Sequence, residues 1–406
     1  MEQFWQLYGE SAKTAAGFFW KAGWAFVLGY AISAMIQTFV PKARLTRHMG
    51  GADAKTIGLS TLFGSISSSC SFAALATARA LVLKGAHFVA AVAFMFASTN
   101  LVIELGILIL VFLGWQYLAA EIVGGLVLIA ISSTLIRLTY PKKWMDAARE
   151  RVEQQASAEQ DDFDPWKRMK SKKGWCMVAC TFVDEWKMVW KDIVIGFTIA
   201  GFMAVLVPAE FWQSLFLAEY GQDGGTWVSI LVAVENALVA PFVAAATFIG
   251  SMGNIPLATV LNAGGVLFAG IMGFIYSDLM VPPLVHINAK YYGWRVALYI
   301  AGIMYVSIVI TALLLNLVFA LTGLTPESSR KVQEVAHFKI DYTFWMNLLF
   351  ATLAATLTII AIRWRSKEKE QQKKGKGGIN IRSVIALLFA TVVAVGCVTY
   401  LLQTLG

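Results

Sequence analysis

The 406-residue chain is 58% hydrophobic and only 14% charged, with a mean hydropathy of +0.65. Soluble domains carry about 25% charged residues, so this composition excludes an ordinary soluble protein and predicts a polytopic membrane protein. The net charge of +8 is explained by basic loops on one side of a membrane and does not indicate nucleic-acid binding. The four cysteines are too few and too scattered for a disulfide framework, and no cofactor or metal site is expected.

Eight apolar stretches are long enough to cross a bilayer as α-helices, because about 20 apolar residues cover a hydrocarbon core roughly 30 Å thick. A helix also satisfies its own backbone groups, which the core of a bilayer cannot do. The chain is therefore expected to be all-α. The predicted spans are 17–40, 87–113, 116–138, 192–209, 266–288, 295–322, 342–362 and 383–403.

Two further apolar segments, near 55–83 and 228–263, are interrupted by polar residues. The first contains the run Ser65-Ile66-Ser67-Ser68-Ser69-Cys70-Ser71. Each flanking run of roughly 12 residues would rise about 18 Å, which is too short to cross the hydrocarbon core. The pattern predicts a re-entrant hairpin, with a half-helix, a polar turn near the middle of the membrane and a second half-helix. From this stretch alone, one serine-dotted helix that crosses the membrane is the alternative.

The second segment repeats features of the first at a spacing of 180 residues. Lys84-Gly85 aligns with Gly264-Gly265, Phe94 with Phe274, Ser98 with Asp278, and the first break with Ser251-Met252-Gly253-Asn254-Ile255-Pro256. Pro256 is expected to be the first residue of a half-helix. Corresponding interrupted helices in two halves are the best pointer to the binding site of a transporter. The sequence thus predicts two repeats, 1–138 and 192–323, with a site between their hairpin tips.

The charges of the loops assign the two sides of the membrane. Segments 41–55, 139–191 and 363–382 are rich in Lys and Arg, whereas 209–226 is acidic and has neither. The positive-inside rule places the basic segments in the cytoplasm. All of them share that side if the first hairpin re-enters, but 41–55 lies outside if the hairpin crosses. Re-entry is therefore favoured, and it makes the second repeat inverted, because the first repeat then crosses the membrane three times.

This topology predicts a multi-pass protein of the bacterial inner membrane with both termini external. The cytoplasmic loop 139–191 is expected to contain an interfacial amphipathic helix, from Trp175 to Trp190. Residues 324–406 lie outside the repeats and are expected to form an appendage of two spans.

The polar residues of the two hairpin turns are candidates for substrate binding. A half-helix that begins at each turn would direct unpaired N–H groups and its positive dipole end at an anion or an electron-rich atom. The alternative is that these small residues only allow close helix packing. The candidates in the turns are Ser68, Ser69, Cys70 and Ser71 in the first repeat, and Ser251, Gly253 and Asn254 in the second. Asn100, in the span after the first hairpin and one turn before Glu104, is a further candidate.

Three carboxylates inside apolar segments are candidates for coupling transport to a proton or a cation, namely Glu104, Glu235 and Asp278. Charged side chains in a membrane are costly and face the protein interior or a water pathway. A structural ion pair with Arg79 or Lys21 is the alternative.

Other motifs carry little chemistry. Cys176 and Cys180 lie four residues apart and could hold a soft metal with two thiolates, but a small apolar helix face is favoured since no other Cys or His is near. The chain has no P-loop, H-E-x-x-H or G-x-S-x-G pattern, which argues against an enzyme.

Several motifs resemble those of a large family of predicted bacterial permeases that includes the organoarsenical efflux permeases. The resemblance covers roughly residues 15–325. It is carried by Cys70-Ser71, Lys84-Gly85-Ala86, Ala93-Phe94-Met95-Phe96-Ala97-Ser98, Gly253-Asn254-Ile255-Pro256-Leu257-Ala258, Gly264-Gly265 and Tyr291-Tyr292-Gly293-Trp294-Arg295.

The chain departs from this family at two positions. Members often have a second Cys where this chain has Phe72, and a proline where it has Ala76. The resemblance therefore implies a secondary permease with an open substrate class. The solute is expected to be small and either anionic, thiol-reactive or a metalloid, and to move by alternating access. A channel-like pore or a membrane anchor for a soluble partner are the alternatives, and a homo-oligomer or a small accessory protein stays open.

Overall fold

The computed structural model describes residues 2–39, 51, 53–67, 71–83, 85–139, 141, 165–218, 220, 225–247, 249–326, 338, 341–369 and 381–405. Every regular element in these ranges is helical, which confirms the predicted all-α class. The predicted site residues Ser68, Ser69 and Cys70 lie outside the described residues, as do most of the basic loops.

The helices of the first half follow one another with short connections. They are α1 (Glu2–Phe39), α2 (Ala54–Ser67), α3 (Ser71–Leu83), α4 (Phe88–Asn100), α5 (Ile103–Phe112) and α6 (Trp115–Thr139). Asp53 precedes α2 and accepts hydrogen bonds from the backbone N–H and the hydroxyl of Thr56. The bond from the hydroxyl lowers the pKa of Asp53, which caps the helix as a carboxylate.

The second half contains the corresponding helices. After the short α7 (Pro165–Met169) come α8 (Lys172–Leu206), α9 (Ala209–Leu215), α10 (Gly225–Thr247), α11 (Ser251–Ala263), α12 (Phe268–Ile275), a 3₁₀-helix (Tyr276–Met280), α13 (Pro282–Tyr292) and α14 (Trp294–Thr322). Two last helices follow, α15 (Tyr342–Lys369) and α16 (Ile381–Leu405).

The boundaries of the short helices recur at the predicted spacing. Helix α3 begins at Ser71 and α11 begins 180 residues later, at Ser251. Each is followed by a turn with a glycine in the left-handed region, Gly85 at φ +90° and Gly265 at φ +89°. A residue with a Cβ rarely adopts this conformation, so both turns need glycine. Contacts between the halves are reciprocal as well: α5 packs on α11, and α13 packs on α3.

Six of the described helices are long and apolar enough to cross a membrane. The number of candidate spans rises to eight if each of two bent helix pairs forms one span. The bent pairs are α4 with α5, at 40°, and α12 and the 3₁₀-helix with α13, at 41°. They match the predicted spans 87–113 and 266–288. Helix α10 has 23 residues and is among the six, so it is longer than the hairpin arm expected there. Re-entry of the two interrupted segments stays a prediction.

The structure differs from the predicted interfacial helix at 175–190. One continuous helix, α8, runs through that segment and through the span predicted at 192–209. Nothing between Trp190 and Ile193 breaks a helix, since the intervening residues are Lys191 and Asp192. The amphipathic stretch and the predicted span therefore form one continuous helix, because no residue between them favours a bend.

Helices α1 and α8 form the most extensive contact of the fold. Gly201 allows this approach, because a Cβ at that position would lie 2.5 Å from the Cα of Ala15. Phe26 and Phe112 each pack against Phe197, with ring centroids 5.7 and 6.1 Å away. Helices α15 and α16 pack on the outside of the same pair.

Candidate functional site

The first residues of α3 and α11 meet in the interior. The Oγ atoms of Ser71 and Ser251 lie 2.9 Å apart, within hydrogen-bonding distance. The interruption of each apolar segment makes this possible, because a helix that starts inside the protein can direct its first turn at the other. The structure thus brings together one predicted site residue from each repeat.

Asp278 completes this cluster, and its side chain is fully buried. Its Oδ2 atom accepts hydrogen bonds from the hydroxyls of Ser251, at 2.5 Å, and Ser71, at 3.1 Å. Its Oδ1 atom has no hydrogen-bond partner among the described residues. The carboxylate therefore lies at the positive dipole ends of two helices, which favours its charged form.

Asp278 lies in a 3₁₀-helix that ends just before a proline. A residue before proline is disfavoured in the α conformation, and Val281 is extended, with ψ 138°. Helix α12 therefore continues as a 3₁₀-helix for about one turn, and a new α-helix begins at Pro282. The 41° bend therefore follows Asp278 and separates the 3₁₀-helix from α13.

The predicted role of Pro256 is wrong. Helix α11 begins at Ser251, so Pro256 is its sixth residue and lies inside the helix. The N-cap is Gly250, whose carbonyl accepts from the N–H groups of Gly253 and Asn254. The helix accommodates Pro256 at the loss of the backbone hydrogen bond that its N–H would have donated.

Two other predicted residues of α11 have different surroundings. Gly253 packs against α8, since a Cβ at Gly196 would lie 2.5 Å from the Gly253 Cα. This contact gives Gly253 a packing role. Asn254 is fully buried, and neither polar atom of its side chain has a hydrogen-bond partner among the described residues. A buried amide without a partner costs free energy, so Asn254 is the stronger candidate for a ligand contact.

Glu104 and Glu235, the other two coupling candidates, lie on different helices from Asp278. Glu104 is buried on α5, and its Cβ would lie 2.3 Å from a Cβ placed at Gly29 of α1. Glu235 is half-buried on α10 and accepts a hydrogen bond of 2.9 Å from Asn236. No described hydrogen bond joins Glu104 or Glu235 to the serine cluster.

The cations named as structural partners contact aromatic rings. The Arg79 guanidinium lies 4.6 Å from the ring centroid of Tyr291. The Lys21 ammonium lies 4.9 Å from that of Tyr342 and donates to the hydroxyl of Thr343 at 3.4 Å. These contacts satisfy both cations in part, and Lys21 also interacts electrostatically with Asp341.

A groove of about 810 Å³ lies between α2, the α4–α5 junction and α6. Its walls are mainly apolar, and the polar residue Asn100 lines it. The Oδ1 atom of Asn100 has no partner among the described residues, while its amide donates to the Phe96 carbonyl at 3.2 Å. The groove is also lined by Glu121, a buried carboxylate of α6.

Two buried carboxylates were missed from the sequence. Glu121 stands in a predicted span with no carboxylate at the matching position of the second repeat, so the repeat did not point to it. Its position in an apolar span was itself a signal. Glu185 was assigned to the interfacial helix, but it is buried between α8 and α1 and accepts hydrogen bonds from Ser33, at 2.7 Å, and from Gln37.

The two cysteines on α8 lie on a packed helix face. Cys176 is buried and Cys180 is half-buried. The described part of the chain contains no group of three or more His, Cys, Asp or Glu side chains that could hold a metal ion.

The cluster formed by Ser71, Ser251 and Asp278 combines two hydroxyls, two helix N-termini and one carboxylate. Such a site can hold an electron-rich group when the carboxylate is protonated, or a cation when it is charged.

Comparison with known proteins agrees with a transport role. A family model described as a predicted permease, ArsP_1, matches residues 8–317. The protein named "Putative permease Rv2963" from Mycobacterium tuberculosis (strain ATCC 25618 / H37Rv) is 38% identical over 331 residues, which cover 79% of this chain and 80% of that protein. No solved structure matches the chain. The family match ends before α15, so the two last helices lie outside it. The chain belongs to the ArsP_1 family of predicted permeases.

Proposed function

We propose that the protein is a secondary permease that binds its solute between the first turns of α3 and α11 and moves it by alternating access. The contact of Ser71, Ser251 and Asp278 carries this proposal, because it joins the two interrupted segments in the interior. The solute class is a small anionic, thiol-reactive or metalloid species. Asn254 supplies a further polar contact, one turn along α11.

The position of Asp278 suggests how solute binding is coupled to an ion. When charged, this carboxylate occupies the positive ends of two helices, which is the place that an anionic group would take. Protonation removes the competing charge and frees the two serine hydroxyls. An anionic or electron-rich solute and a proton on Asp278 therefore bind together.

Three residues of the first repeat support a re-entrant first hairpin. The base of α2 at Ala54 lines the same groove as Arg137, near the end of α6. Burial and then the positive charge of Arg137 lower the pKa of His87, which lies in the turn after α3. Both ends of the interrupted segment thus lie near one end of α6. The charges of the basic loops favour a cytoplasmic position for that end, in a bacterial inner-membrane protein whose termini are external.

A thermal-shift screen of the purified protein tests the binding site. The probes are phosphate, arsenite, glutathione and zinc, because they represent an oxyanion, a metalloid, a thiol and a soft metal. A ligand present at 100 times its Kd stabilises the folded state by about 2.7 kcal/mol. Ser251→Ala and Asn254→Ala should weaken binding of the active probe, while the buried control Ser307→Ala should not, because its hydroxyl bonds within its own helix to Ile303.

Cys70→Ala separates the solute classes. Loss of a thiolate should weaken binding of arsenite or zinc strongly, and binding of phosphate little. Wild-type affinity in both Ser251→Ala and Asn254→Ala would place the site elsewhere and refute the proposal.

A further inference from the structure

Glu121 is a buried carboxylate for which packing of the described helices supplies no hydrogen-bond partner. Its side chain is 1% exposed, and neither carboxylate oxygen has a hydrogen-bond partner in the part of the chain that the structure describes. A charged carboxylate left in this state would cost several kcal/mol, so a purely structural Glu here is a poor solution. The residue is better explained as one that exchanges a proton.

Glu121 also lies at the junction of two regions of the protein. On one side it lines the groove together with Asn100. On the other side it interacts electrostatically with Asp278. Tyr276, two residues before Asp278, holds the 3₁₀-helix against α6. Its hydroxyl donates to the backbone carbonyl of Ala120, next to Glu121, at 3.0 Å.

The groove gives Glu121 a route toward one end of α6. Residues of α6 that line it recur every three or four positions, which places them on one helix face. They are Leu118, Glu121, Ile122, Leu126, Ile129, Ala130, Ser133, Thr134 and Arg137. Arg137 lies 16 residues after Glu121, or about 24 Å along the helix. Its end of the groove is the one that the loop charges place in the cytoplasm.

We infer that Glu121 carries protons between the groove and Asp278. A hydronium ion in the groove gives its proton to the Glu121 carboxylate and becomes water. The resulting carboxylic acid gives the proton to the Asp278 carboxylate, and Glu121 returns to its charged form. At rest, Glu121 holds the proton and Asp278 is charged. This inference deepens the proposed function, because it names the coupling ion of the same site.

Few other titratable groups face Glu121. Asp278 and Tyr276 interact with it from the 3₁₀-helix, and Arg137 lines the far end of the groove. The groove walls of α2, α4 and α5 supply only apolar, hydroxyl and amide side chains. On α14, Tyr299 bonds to Thr139, and Tyr305 bonds to a carbonyl of α10. Helix α12 contains no titratable residue. The carboxylate residue of α5, Glu104, packs against α1.

Dicyclohexylcarbodiimide provides a test that needs no solute. It is apolar and reacts with protonated carboxyl groups: the acid oxygen adds to its central carbon, the proton moves to a nitrogen, and the adduct rearranges to a stable N-acylurea. Purified protein is treated at a series of pH values, and the modified peptide is identified by mass spectrometry. We expect Glu121 to be labelled, labelling to fall as pH rises, and sodium at fixed pH to give no protection.

Three variants sharpen the test. Asp278→Asn removes the negative charge that opposes ionisation of Glu121, so labelling should fall off at a lower pH than in the wild type. Leu126→Trp should slow labelling by narrowing the groove, while Leu317→Trp, an exposed position on α14 away from the groove, should not. All variants are first checked for a single symmetric peak on size-exclusion chromatography.

Several results would overturn the inference. Glu104 is a matched internal control, because it is equally buried but does not line the groove. Labelling of Glu104 as strong as that of Glu121 would show that the groove gives Glu121 no preferential access to the reagent. Absence of labelling at Glu121, protection by sodium, or an unchanged pH profile in Asp278→Asn would each reject the proton route. None of these results moves the solute site from the serine cluster, which Ser251→Ala and Asn254→Ala test separately.

Discussion

Substitution of Ser251, which donates a hydrogen bond to Asp278, tests whether the Asp278 carboxylate is charged. Ser251→Ala removes the hydroxyl that donates to Oδ2. A hydrogen bond to a charged group contributes about 1.5–3 kcal/mol, whereas neutral hydrogen bonds between transmembrane helices average about 0.6 kcal/mol. We expect the larger cost, because two helix N-termini hold Asp278 in its charged form. For a chain of this length, that cost corresponds to a fall of about 2 to 4 °C in the apparent melting temperature.

A double-mutant cycle isolates the contribution of charge. In an Asp278→Asn background the acceptor is a neutral amide oxygen, so Ser251→Ala should cost only about 0.6 kcal/mol. Melting of purified protein in detergent is followed by intrinsic tryptophan fluorescence at neutral pH, with Ser307→Ala as the control for loss of a buried hydroxyl. Equal costs of Ser251→Ala in the two backgrounds would refute the argument that Asp278 is charged at this contact.

Three further predictions concern packing, topology and coupling. Gly29→Ala should lower the yield of folded protein, because its Cβ would lie 2.8 Å from the Cα of Glu104, whereas Gly302→Ala, with open space around it, should leave chromatographic yield unchanged. In a background without native cysteines, Lys55→Cys should resist an impermeant maleimide on intact cells while Glu210→Cys reacts, and reaction of Lys55→Cys from outside would exclude the re-entrant hairpin. Glu104→Gln should reduce uptake or efflux of the active probe in proteoliposomes at normal expression; wild-type transport at every pH would remove Glu104 from the coupling residues.

Much of the fold follows from apolar segment length and from breaks in those segments. The predicted spans at 87–113 and 266–288 correspond to the two bent helix pairs. The spacing of 180 residues predicted the alignment of the two short helices, and Ser71 and Ser251 start them. Helix ends were harder to place, because a proline can be accommodated inside the first turns. For that reason Pro256 was taken for a helix start.

The candidate site was predicted in outline but not in its contacts. Asp278 was identified because a carboxylate in an apolar stretch is costly, and the serine turns were identified because they interrupt apolar runs. Their meeting depends on how two halves of the chain pack, which local sequence does not encode. Glu121 has no counterpart in the second repeat, so a comparison of the repeats passed over it. Its importance depends on the groove and on Asp278, both of which are tertiary features.

The packing of α15 and α16 on α1 has a consequence for biosynthesis. Lys13 and Lys21 of α1 donate to hydroxyls of Tyr400 and Thr343, so the partners of two early lysines are made last. A lysine facing lipid is unfavourable in a span, so α1 is less stable in the bilayer before these partners are present. We expect α1 to reach its full stability only after α15 and α16 have been synthesised. The ribosome then has to complete nearly the whole chain before the first helix is secured.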